Sequence, residues 1–201
     1  MGRVQIWGEI RVADAALLII DMLNRFDFED SRPLVQAAHR ATDAVERLRE
    51  QAHAADVPVI YVNDNYGDWQ STPDQLIEQL IGDNPEGGEM ARRLAPGERD
   101  YFVIKPEFSG FYATNLPAIL PRLGISRLIL TGVAADICVL FTAADAHMRE
   151  YDLWVPSDAV AGVSPERTAW AIDIMRDTLS AEVRATAELS LEDWVRSAPN
   201  E

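Results

Sequence analysis

The sequence predicts an α/β fold, a three-layer αβα sandwich built on a six-stranded, mostly parallel β-sheet. Two observations carry this. Short apolar runs of strand length alternate with longer segments whose apolar residues recur at helical spacing. The first run, Ala15-Ala-Leu-Leu-Ile-Ile20, is apolar without alternation, as a strand covered on both faces must be. Strands separated by helices make βαβ units, and those units make parallel sheets.

The elements follow in order. Ala15 to Ile20 is the first strand and stops at Asp21. Pro33 to Ala55 is a helix with Ala37, Ala41, Ala44, Val45 and Leu48 on one face. Val57 to Val62 is the second strand, and Asn63 to Asp68 is a polar loop. Pro73 to Ile81 is a short helix. Gly82 to Gly97, with its Gly, Pro and acidic residues, reads as a loop or lid-like excursion, with 83–97 placed to cover a site or an oligomer interface. Tyr101 to Ile104 is the third strand, ended by Lys105-Pro106, and Thr114 to Leu123 is a helix.

Arg127 to Thr131 is the fourth strand. The chain then turns through Gly132, and a helix begins at about Cys138 with Ile137, Leu140, Phe141, Ala144 and Met148 as its apolar stripe. Leu153 to Val155 is the fifth strand. Pro165 to Leu179 is a helix opened by proline, and Ala181 to Ala185 is the sixth strand.

Composition bounds the rest. A chain of 201 residues is long enough for one sizeable core and reads as one domain over 1–201. With 48% hydrophobic and 25% charged residues it has the balance of a soluble globular protein. A formal charge of −15 with no long basic stretch argues against nucleic acid as a partner. No apolar run approaches the ~20 residues that span a bilayer. The opening Met1 to Trp7 lacks the charged-then-apolar pattern of a secretory leader. One cysteine excludes an intrachain disulfide, so a reducing, cytoplasmic setting is expected.

In parallel sheets, sites gather beyond the carboxyl ends of the strands. Asp21 follows the first strand, Lys105 the third and Cys138 the fourth. Singly each has an ordinary explanation: a turn cap, a solvated charge, a small buried hydrophobe. Together they bring an acid/base, a cation and a thiol to one edge. A thiol at a helix N-terminus also feels the positive end of the macrodipole, which favours thiolate.

Three stretches carry a family resemblance: Leu17-Leu-Ile-Ile-Asp-Met-Leu-Asn-Arg-Phe26, Lys105-Pro-Glu-Phe-Ser-Gly-Phe111 and Thr131-Gly-Val-Ala-Ala-Asp-Ile-Cys-Val139. Thr142 to Ala146 and Pro156 to Ala159 add to them. In this order they resemble the isochorismatase-like cysteine hydrolases, which include nicotinamidases and N-carbamoylsarcosine amidases. The resemblance runs from about Ala15 to about Ala185. It implies that Asp21 is the general acid/base, Lys105 the charged third member and Cys138 the nucleophile. It further implies a cis peptide at Val133–Ala134 and an oxyanion hole formed by the backbone N–H groups of Ala134 and Cys138.

Two departures from the family pattern stand out. Ala135 occupies a position where the family often has Thr, removing one local hydroxyl. Nicotinamidases carry an Asp-x-His metal pattern after the second strand, whereas the loop here, Asn63 to Trp69, has no histidine. His39, His53 and His147 lie in helix patterns, and Asp64 and Asp68 read as solvated loop carboxylates. No metal and no cofactor are therefore expected.

The resulting expectation is metal-independent hydrolysis of a small amide-type C–N bond through a thioester. One alternative is isochorismatase-type vinyl-ether cleavage, which by the resemblance keeps Asp and Lys without needing the thiol. The other is a non-catalytic binding protein. Phe26, Trp69, Phe108 and Phe111 are the expected substrate-contacting aromatics, and Asn24 and Asn65 the expected polar contacts. A homo-oligomer, dimer or tetramer, is expected, with a neighbouring subunit completing the pocket.

Overall fold

β1 (Ala15–Ile20) lies at the centre of a parallel sheet ordered β3-β2-β1-β4-β5. β2 is Val59–Asp64, β3 Tyr101–Lys105, β4 Arg127–Val133 and β5 Asp152–Trp154. A two-residue strand, β6 (Val160–Ala161), pairs with the end of β4. The computed structural model describes residues 14–70, 72–82 and 84–197. Met1 to Trp7, read above for a leader, lie outside them.

β1 shows why its sequence has no alternation. Leu17 and Ile19 enter one apolar cluster, and Leu18 and Ile20 enter the other. Each such side chain contributes roughly 1.5–3 kcal/mol when fully buried. Helices α1 (Arg32–Ala54), α2 (Pro73–Ile81), α3 (Gly88–Arg93) and α7 (Leu191–Arg196) cover the first face. Helices α4 (Leu116–Arg122), α5 (Leu140–His147) and α6 (Pro165–Asp177) cover the second. The expected three-layer αβα sandwich is present. No helix among the described residues is long and apolar enough to cross a membrane.

Four local expectations are corrected. β2 begins after Pro58, which has no N–H for the ladder, and runs past its apolar residues to Asp64. The described part of the 82–97 stretch is not all loop. It carries α3, whose Met90 and Ala91 are buried with Leu94, and whose Arg93 pairs with Asp43 and Glu46 of α1. Gly87 lets this segment dock, because a Cβ there would lie 1.9 Å from the Asn24 carbonyl oxygen.

The sixth strand is Val160–Ala161, while Ala181–Ala185 supplies only an isolated bridge between Glu182 and Trp154. Two residues are too few to register as an apolar pattern. Helix α7 was not anticipated either. Its Ser190 accepts from the Asp193 N–H as an N-cap, and Trp194 packs on Trp154 with ring centroids 5.8 Å apart.

The helix after the cysteine presents an unexpected face. A π-helical turn, Ala135–Val139, precedes α5, and it is the small residues Ala143 and Ala146 that pack against the sheet. Phe141 and Met148 from the expected core stripe are exposed. Close helix–sheet approach selects the small residues and leaves the large ones outside.

Candidate active site

The carboxyl ends of β1, β2, β3 and β4 bring four groups together. Asp21 leaves β1 in the left-handed region, at φ 50°, while its N–H still bonds the Val62 carbonyl at 3.0 Å. This conformation is uncommon for a non-glycine residue. Its Oδ1 accepts the Asp64 N–H at 2.8 Å and its Oδ2 lies 2.8 Å from Lys105 Nζ.

Lys105 ends β3 with its side chain 0% exposed. The β2–β3 register pairs it with Asp64, so both side chains leave the sheet together. Its ammonium faces Asp21 Oδ2 at 2.8 Å, the Glu107 carbonyl at 3.1 Å, Asp64 Oδ2 at 3.4 Å and Cys138 Sγ at 3.5 Å.

Cys138 reaches this point through the end of β4. Gly132, at φ 112°, sits against Ile20, and a Cβ there would lie 2.0 Å from the Ile20 carbonyl oxygen. Only glycine allows this approach. The Val133–Ala134 peptide is cis. The Ala134 carbonyl then accepts the Ile137 and Val139 N–H groups at 3.0 and 3.2 Å, which shapes the π-helical turn holding the thiol. Behind it the buried Asp136 carboxylate meets Arg167 Nε of α6 at 2.5 Å.

The electrostatics set the protonation pattern. Burial raises the Asp21 pKa, opposed by the Lys105 charge. Burial, then the Asp21 charge, pushes the Cys138 thiol up, again opposed by Lys105. For Lys105, burial works against the charge, but Asp21, Cys138 and Asp64 outweigh it and hold the pKa above its ordinary value. Burial thus favours the protonated thiol at Cys138, while the negative groups around Lys105 hold its proton in place. Burial beside Asp21 opposes the helix-terminus effect that favours thiolate. The thiol and the Asp21 carboxylate share a hydrogen bond, so the proton has a short path to a base whose affinity burial has raised.

The expected contact residues divide. Phe26 is buried in one apolar cluster, and Phe111 in the opposite one against Tyr151. Loop aromatics fold inward when no other apolar group fills the space. Asn24 holds its own loop, accepting from the Phe26 N–H, and Asn65 accepts from the Gly67 N–H. Trp69 is 77% exposed and Phe108 51%. Phe108 packs on Phe141, one helical turn beyond Cys138, at 5.6 Å between ring centroids.

Three contributors were not anticipated: Asp64 as a partner of Lys105, Phe141, and Tyr66. The Tyr66 hydroxyl donates to the Leu23 carbonyl at 2.8 Å. The residue is 38% exposed as a whole, but its hydroxyl end is turned inward, and burial there with the Asp21 charge holds its pKa well above the ordinary value.

Residues 63–69 do not fit a metal. The Asp64 carboxylate already takes the Tyr66 N–H at 2.7 Å and faces Lys105, and the Asn65 oxygen is held by Gly67. His53 is paired with Asp100 at 2.7 Å on another part of the surface. Cavities of about 1160 and 640 Å³ lie elsewhere, one beside Asp14 and Ser190, the other between α1 and α6. Neither is lined by Asp21, Lys105 or Cys138, and it is the strand-end cluster that carries the chemistry.

Residues 15–188 match the family model for the Isochorismatase domain. The chain belongs to the isochorismatase family. Family relatives include the uncharacterized isochorismatase family protein YaaI of Bacillus subtilis, 38% identical over 88% of this chain and 97% of that protein. The ureidoacrylate amidohydrolase RutB of Serratia proteamaculans is 25% identical over 76% of this chain and 72% of its own length. Among solved structures, N-carbamoylsarcosine amidase from Thermoplasma acidophilum superposes with a TM-score of 0.67 at 32% identity, covering 88% of this chain and 98% of that one. Hydrolases thus stand among the isochorismatase-family relatives by both sequence and structure.

Proposed function

We propose that this isochorismatase-family protein is a metal-independent cysteine hydrolase that cleaves a small amide-type C–N bond. The carrying observation is the buried Lys105 ammonium set between the Asp21 carboxylate at 2.8 Å and Cys138 Sγ at 3.5 Å. Amide hydrolysis by the named amidase and amidohydrolase relatives supports the reading. So does the histidine-free loop after β2.

The cycle keeps the cluster charge constant. Sulfur attacks the carbonyl carbon as the thiol proton passes to Asp21, forming the C–S bond. The oxyanion is held by the backbone N–H groups of Ala134 and Cys138. Asp21 returns the proton to the leaving nitrogen as the C–N bond breaks, leaving a thioester and an amine. Water then gives its proton to Asp21 and its hydroxide to the acyl carbon. The sulfur leaves and recovers the proton, releasing a carboxylic acid. Lys105 keeps its proton throughout and balances whichever of the sulfur or Asp21 is negative.

Replacing Cys138 with Ala separates this from vinyl-ether cleavage. Amide turnover should fall by at least about a thousandfold. Unaltered turnover of a vinyl ether by Cys138→Ala would establish the alternative.

A further inference from the structure

Lys105 carries three N–H donors. Four acceptors surround it within 3.5 Å: Asp21 Oδ2, the Glu107 carbonyl, Asp64 Oδ2 and Cys138 Sγ. The two long contacts, 3.4 Å to Asp64 and 3.5 Å to Cys138, therefore compete for one hydrogen. Asp64 is held for this contest. Its Oδ1 takes the Tyr66 N–H at 2.7 Å, and its ladder position opposite Lys105 leaves Oδ2 facing the ammonium. Its own N–H donates to Asp21 Oδ1 at 2.8 Å, so one residue touches both acid/base and cation.

We infer that Asp64 is a positioning residue that sets the working pH of the Cys138–Asp21 pair by competing with the sulfur for Lys105. Its carboxylate draws the third hydrogen away from Cys138 and adds a second negative charge beside one cation. Both effects keep the resting thiol protonated and make Asp21 a stronger base. The titratable groups facing the cluster are Asp21 from β1, Asp64 from β2, Tyr66 from the following loop, Lys105 from β3 and Cys138 from the π-helical turn. This tuning belongs to the thiol chemistry proposed above, yet it can be read without any substrate.

Because Cys138 is the only cysteine, alkylation by iodoacetamide across pH reports on it alone. Asp64→Asn keeps the shape and the Tyr66 bond but removes the charge. Its alkylation curve should move to lower pH by about one unit, a roughly tenfold faster reaction below the midpoint. Asp64→Ser should move the same way, and Asp64→Glu should stay near the wild type. Unmoved curves in folded Asn and Ser variants, or curves moved to higher pH, would overturn the inference. Loss of fold in both would also overturn it, since Asp64 would then be structural. A shifted curve with no turnover of any amide would uphold the tuning while removing the amidase reading.

Discussion

Lys105 Nζ lies 2.8 Å from Asp21 Oδ2, with both side chains withdrawn from solvent at the carboxyl edge of a parallel sheet. A buried pair of this kind is a weak source of net stability, but removing one member strands the other.

Lys105→Met should therefore destabilise the protein by about 3–5 kcal/mol. Adding Asp21→Asn should restore a large part of that loss, because the stranded charge is gone. Urea denaturation of the single and double variants measures both. A double variant less stable than Lys105→Met would contradict the pairing.

Stability should fall as pH rises above about 9. The unfolded thiol ionises near its ordinary value of 9.0, whereas the native thiol is held above it. Tyr66 and Lys105, with ordinary values of 10.0 and 10.5, are also raised in the native state. In each case the unfolded chain binds fewer protons than the native one, so the slope of stability against pH is negative. Cys138→Ser should flatten the first part of that fall. Urea midpoints from pH 8 to 10.5 test this.

Gly132→Ala should cost about 3 kcal/mol or more and abolish activity. The added Cβ would meet the Ile20 carbonyl at 2.0 Å, at a φ of 112° that side chains resist. Thermal melting together with the Cys138 alkylation rate checks it.

Phe108→Ala and Phe141→Ala should raise KM for the amide substrate by about tenfold while leaving Cys138 alkylation unchanged. The paired rings stand 5.6 Å apart beside the nucleophile turn, outside the core. A change in alkylation instead of KM would place them in the thiol's support.

Asp21 and Lys105 were legible because each stands at the end of a short apolar run, and Cys138 because it is the single cysteine in a strand-turn-helix passage. The partnership of Asp64 with Lys105 was not legible. It depends on β2 continuing through polar Asn63 and on a register that pairs Asp64 with Lys105, neither visible in an apolar pattern. Helix α3 was hidden by the glycines and charges around Met90 and Ala91. The burial of Phe26 and Phe111 was not legible, because it depends on the space beneath each loop. The outward face of α5 was misread because small residues, rather than the large apolar stripe, meet the sheet.

The central claim is that Cys138 becomes acylated. Rapid-quench mass spectrometry of the intact protein, mixed with a panel of small amides, tests it most directly. An acyl adduct on Cys138 should form and decay at the turnover rate and be absent from Cys138→Ala. Steady turnover of an amide by Cys138→Ala, with no adduct on the wild type, would contradict it.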